Sequence, residues 1–305
     1  MLPTSIKGEL HLTNTLTTYK NSVLAYAFGF ATLIGFSVLS TIMQQNGVPT
    51  QQGVNFWLIN GAYSLCLGVV ALLILMLSKQ PVKQTLGLDK KAFGVDKAVL
   101  LCATVFVMIN VTVVLNSWFV QFLTTLGCNV KSYAVSTEQI LQNPLLAVVV
   151  GCILPAINEE LLFRGLIVKG LNSKMGNAAA VVVSGLLFAL FHANPAQTLH
   201  QFALGCLLAL VAISTQSVVL PVIAHLFNNL AVLALALYVE PTGVYTQYSY
   251  WIVAVGAVVL AGLIWLVVRQ FKTNKIVVEK QNTSAYDLLL VATAAFGVYL
   301  WAGAL

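Results

Sequence analysis

Residues 144–171 read PLLAVVVGCILPAINEELLFRGLIVKGL. No charged side chain appears before Glu159; then Glu159, Glu160 and Arg164 arrive within two turns of helix. A helix needs about 20 mostly apolar residues to cross the hydrocarbon core, so this stretch reads as a membrane span. An ionisable group at the bilayer centre costs roughly 2.5–3.5 kcal/mol on insertion scales and usually marks function. The whole chain holds nine acids in 305 residues, so two adjacent ones in an apolar run require an explanation.

Composition extends that reading to the rest of the chain. Hydrophobic residues make up 59% and charged residues 8%, where a soluble domain carries about 25% charged. Mean hydropathy is +0.90. The chain is therefore expected to be an all-α polytopic transmembrane bundle, not a soluble domain. Apolar runs at 21–43, 54–77, 98–126, 144–171, 178–192, 199–214, 218–238, 250–268 and 285–305 give nine candidate spans. The fifth and sixth are short and read as inner helices sheltered by the others. Residues 126–143 are moderately polar and read as a short interfacial helix. Residues 1–20 form a polar N-terminal segment without the short apolar core and small-residue cleavage site of a secretory signal. Residues 21–305 then form one transmembrane domain. Cys66, Cys102, Cys128, Cys152 and Cys206 are scattered and suggest neither a disulfide framework nor a thiolate metal site.

The net charge of +6 has a topological reading. With a cytoplasmic N-terminus, thirteen of the fifteen bases fall in cytoplasmic segments: Lys7, Lys20, Lys79, Lys83, Lys90, Lys91, Lys97, Lys169, Lys174, Arg269, Lys272, Lys275 and Lys280. Only Lys131 lies opposite, and Arg164 is embedded. This follows the positive-inside pattern, so the basic balance points to lipid headgroups and not to nucleic acid.

Depth connects the polar residues. At about 1.5 Å per residue, Glu159 lies roughly 20 Å from the cytoplasmic end of its span, and His192 roughly 22 Å along the next. His225 and Asn229 lie roughly 12 and 18 Å into the seventh. Three helices thus bring an acid, an imidazole and a His/Asn pair to similar depths. Spacing adds roles. Glu160 and Arg164 are four apart and share a face, whereas Glu159 points about 100° away. Phe188 sits one turn before His192, where its ring can wall off the imidazole. Pro155 removes a backbone hydrogen bond one turn before Glu159, which is tolerable in a membrane only where protein or a hydrated cavity takes over. His11 and His200 read as surface or structural residues.

These groups suit peptide-bond hydrolysis. A carboxylate and a neutral imidazole can hold and deprotonate one water, while a second histidine and an asparagine stabilise the oxyanion. A zinc site with His192, His225 and Glu159 as ligands is an alternative, although no H-E-x-x-H pair is present. A third reading is a non-catalytic membrane protein, such as an immunity or scaffold factor, that uses the charged centre for stability.

The runs Asn158 to Gly165 (NEELLFRG), Phe188 to His192 (FALFH) and His225 to Asn229 (HLFNN) resemble three motifs, E-E-x-x-x-R, F-x-x-x-H and H-x-x-x-N. They are the motifs of the CPBP intramembrane proteases, metallo- or glutamic-type, also called the type II CAAX prenyl endopeptidase or Abi family. The resemblance covers about 144–238. It implies an intramembrane endopeptidase in which Glu159 and His192 activate water and His225 and Asn229 form the oxyanion hole. Glu160, Arg164 and Phe188 would support them, with no cofactor. It also implies a membrane-delivered peptide or protein substrate and a family core of eight spans. Eukaryotic relatives cut after a prenylated cysteine; many bacterial ones are linked to peptide maturation, immunity or export. The short loops suggest a prokaryotic plasma membrane.

Overall fold

The computed structural model describes the chain except residues 1–3, 80, 91–92, 131–134 and 274–282, and describes side chains from residue 18 onward. The side chains of Lys7 and His11, and residues Lys91, Lys131, Lys275 and Lys280, lie outside the described residues. Among the described residues nine long helices make up the bundle: α1 (Thr4–Gln45), α2 (Gly53–Leu77), α3 (Val95–Thr125), α4 (Pro144–Met175), α5 (Asn177–Phe191), α6 (Thr198–Thr215), α7 (Val219–Tyr238), α8 (Ser249–Gln270) and α9 (Ser284–Ala302). No strand occurs among the described residues. The fold is all-α, as composition requires.

Eight of these helices are long and apolar enough to cross a membrane; α5 is not. With 15 residues it spans about 22 Å, short of a hydrocarbon core of about 30 Å. Of the nine candidate spans read from the apolar runs, the fifth is therefore too short to cross, and eight remain among the described residues. The fifth run forms a shorter helix, buried mainly over its second half at Ser184, Gly185, Leu187, Phe188, Ala189 and Phe191. Its neighbour α6 is half buried over its most apolar stretch, against 6% for α8 and α9, so α5 and α6 are central and α8 and α9 peripheral.

Local signals set the helix ends. Pro144 opens α4, where a missing N–H costs nothing. Gly176, at φ +80°, turns the chain from α4 into α5 in a single residue. Ser136 accepts a hydrogen bond from Gln139 N and caps the short helix Thr137–Gln142, inside the stretch read as interfacial. The disturbance expected at Pro155 takes the form of a π-helical turn at Val149–Ile153, closed by Leu154 N–H donating to Val149 O. A second π-helical turn, Phe163–Ile167, follows directly after the acids. Such wide turns rotate the residues beyond them relative to a regular helix.

Small residues let the central helices approach. A methyl group on Gly205 would stand 2.8 Å from Gly185 Cα, which places α5 and α6 backbone to backbone. On α2, Gly68 leaves room for Asn158, whose Nδ2 donates to Ser64 Oγ at 3.2 Å. A cluster of rings fills the space between α1, α4 and α5. Phe163 meets Phe188 edge-on with centroids 4.9 Å apart, and Phe30 meets Phe191 at 5.2 Å.

Four described lysines make contacts at one end of the bundle. Lys174 pairs with Asp287 and donates to Thr283, Lys169 donates to Thr85 O, and Lys97 lies 5.7 Å above the Phe271 ring. Lys20 lies 5.9 Å from the Tyr286 ring. These contacts join α1, α3, α4 and α9 to the loop after α2 and the end of α8.

Candidate active site

The end of α5 builds the first element of the site. The final turn tightens, with His192 N donating to Ala189 O and Ala193 N to Leu190 O. Ala193 then takes φ +46° and the helix stops. That tightening leaves the Phe188 carbonyl without its usual backbone donor. His192 Nδ1 occupies it at 2.8 Å. A carbonyl oxygen only accepts, so Nδ1 carries the hydrogen and the neutral ring presents an unprotonated Nε2. The Phe188 ring closes the side, edge-on with centroids 4.8 Å apart.

Across from it, α4 supplies two acids with different surroundings. Glu159 Oε2 stands 4.0 Å from His192 Nε2. Among the described residues this oxygen has no hydrogen-bond partner, although it is buried. At that separation the two atoms do not bond directly, but one water about 2.8 Å from each could bridge them. Glu160 is fully buried and accepts on Oε1 from Arg164 Nη1 at 2.7 Å and from His225 Nδ1 at 2.8 Å. Arg164 also donates from Nη2 to Gly205 O at 3.2 Å, and its guanidinium lies 4.7 Å above the Phe188 ring. The pair anticipated on one face of α4 is therefore a three-residue cluster that ties α4 to α6 and α7.

On α7, His225 and Asn229 follow one another by a turn. His225 Nδ1 faces a carboxylate and so carries a hydrogen, leaving Nε2 to face away from Glu160. Its ring lies 5.9 Å from Phe188, which thus stands against both imidazoles. Asn229 donates from Nδ2 to Cys152 O at a long 3.4 Å, in the first π-helical turn of α4. Its Oδ1 accepts from Asn228 Nδ2 at 3.1 Å.

The structure brings together Glu159 with His192, Glu160 with Arg164 and His225, and Phe188 with both histidines. Three features go beyond sequence reading. The first is the Glu160–His225 bond, which depends on how α7 approaches α4. The second is the role of the Phe188 carbonyl, where the sequence pointed to the ring. The third is the buried set His200, Asn228 and Thr112, of which only the polarity inside apolar runs gave a sign. Among the described residues, no group of three His, Cys, Asp or Glu side chains is placed to hold a metal ion.

Neither a curated protein nor a solved structure matches the chain. A family model does. Residues 141–231, the stretch that holds Glu159, Glu160, Arg164, Phe188, His192, His225 and Asn229, match the model for type II CAAX prenyl endopeptidase Rce1-like proteins.

Proposed function

We propose that this integral multi-pass membrane protein is an intramembrane endopeptidase that cleaves a membrane-delivered peptide or protein with a water activated by Glu159 and His192. The observation that carries the reading is the 4.0 Å gap between Glu159 Oε2 and an unprotonated His192 Nε2. Both atoms accept, so a water between them donates both hydrogens and turns a lone pair toward the substrate. Its oxygen attacks the carbonyl carbon, and Glu159 takes a proton. That proton passes to the leaving nitrogen as the C–N bond breaks.

The negative charge that develops on the carbonyl oxygen needs donors. His225 in its doubly protonated form offers Nε2–H, and Asn229 offers an amide hydrogen. Glu160 accepts from both Arg164 and His225 and so fixes the His225 ring with Nε2 turned away from that carboxylate. Arg164 and Glu160 hold this arrangement in place and do not touch the reacting atoms. The clustering of bases at one end supports a cytoplasmic N-terminus, in a prokaryotic plasma membrane. No cofactor takes part in this reading, and no nucleic acid is expected as a partner.

The test uses purified protein and two internally quenched peptides. One ends in a prenylated cysteine-aliphatic-aliphatic-X sequence; the other is its unprenylated counterpart. Cleavage of either is expected, to survive a strong chelator, and to disappear in Glu159→Gln and His192→Ala. Loss on chelation with recovery on zinc would replace this mechanism with a metal-dependent one. An inert wild-type protein would favour a non-catalytic role.

A further inference from the structure

Behind the proposed site a second polar chain crosses the bundle. Thr112 Oγ1 on α3 lies 2.8 Å from His200 Nδ1 on α6, and His200 Nε2 lies 3.0 Å from Asn228 Oδ1 on α7. Asn228 Nδ2 then donates to Asn229 Oδ1 at 3.1 Å, and Asn229 Nδ2 reaches Cys152 O. Thr112, His200 and Asn228 are all buried, with Asn228 only 3% exposed. Apolar side chains would fill this space at lower cost, because buried polar groups stabilise nothing unless each is satisfied.

Each link has a direction. An amide oxygen only accepts, so His200 Nε2 must carry the hydrogen. In a neutral ring Nδ1 then accepts, and it takes the Thr112 hydroxyl proton, for which Met108 O at 2.7 Å competes. With its oxygen held by His200, Asn228 can turn only its NH2 toward Asn229. That turns the Asn229 oxygen away from the site and leaves its NH2 to face Cys152 O and the cleft. The opposite histidine tautomer would reverse every amide in the chain. Asn229 would then present an oxygen where the oxyanion forms, and two negative poles would meet.

We infer that His200, acting through Asn228, is a positioning residue that sets the polarity of the Asn229 amide. The inference rests on the reading of Asn229 as an oxyanion donor. Asn228→Asp tests it with no change of shape. The carboxylate still accepts from His200 but offers Asn229 only acceptors, so Asn229 must turn its NH2 inward and its oxygen toward the cleft.

The measurement is steady-state cleavage of whichever quenched peptide the wild type accepts, with thermal unfolding in detergent as the folding control. Asn228→Asp is expected to lower kcat about 100-fold, the effect of losing one oxyanion donor, while KM stays within about threefold. His200→Gln keeps a donor near the position of Nε2 and should retain about ten times the kcat of His200→Ala, a difference of about 1.4 kcal/mol. In an Asn229→Ala background, Asn228→Asp should have no further effect. Full additivity there, or unchanged kcat in Asn228→Asp and His200→Ala while Asn229→Ala is impaired, would overturn the inference and leave the functional reading standing. Unchanged kcat in Asn229→Ala would instead remove the oxyanion role, and an inert wild type would remove both.

Discussion

Glu160 Oε1 receives two donors, the Arg164 guanidinium and the His225 imidazole, in a place that water does not reach. Glu159, one residue earlier, has a buried oxygen with no partner among the described residues. The two acids should therefore fail differently. Glu160→Gln leaves the buried Arg164 guanidinium without its carboxylate and is expected to cost about 3–5 kcal/mol, read as a lower unfolding midpoint in detergent. Glu159→Gln alters an oxygen that has no hydrogen-bond partner among the described residues, so the same measurement should show a much smaller shift in midpoint. The E-E-x-x-x-R spacing made the Arg164 partnership legible, because four residues on a helix bring side chains together whatever the tertiary fold. It could not reveal His225 as the third member, since the two stand 65 positions apart in the chain. Phe188 carries the same lesson. Its carbonyl orients His192, and a carbonyl has no signature in sequence. Phe188→Leu keeps that carbonyl, so its cleavage rate is expected to fall by about tenfold or less, far short of His192→Ala.

At the scale of elements, the site depends on helices that depart from regularity. α5 stops at His192 because its last turn tightens and Ala193 leaves the helical region. α4 widens into π-helical turns on either side of the acids, at Val149–Ile153 and Phe163–Ile167. The helices themselves were legible as apolar runs of sufficient length, and the brevity of the fifth marked it as an inner helix. The π-helical turns were not, apart from the hint of Pro155, because an i→i+5 bond asks for no particular residue type. The backbone contact at Gly185 and Gly205 joins packing to chemistry, since Gly205 O also accepts from Arg164. Gly205→Ala would push against backbone that has no flexible end to yield. The expected cost is about 1–3 kcal/mol in unfolding, accompanied by reduced cleavage as Arg164 is displaced.

For the whole molecule, the basic ends of α1, α3, α4 and α8 meet at one pole, with Lys174 and Asp287 fastening α4 to α9. The charge bias in the sequence anticipated which segments share a side; it said nothing of which side chains touch. The proposed cytoplasmic N-terminus can be tested directly with tags. In intact spheroplasts, an epitope fused at Met1 should resist added protease until the membrane is permeabilised; early loss of that epitope would reverse the orientation. The central claim is that the assembled bundle holds a hydrolytic water between Glu159 and His192. The most direct measurement is the single-turnover cleavage rate of purified Glu159→Gln beside wild type, at matched thermal stability. The account predicts a loss of about 100- to 10,000-fold, the range of a general base. Cleavage by a folded Glu159→Gln protein at close to the wild-type rate would contradict it.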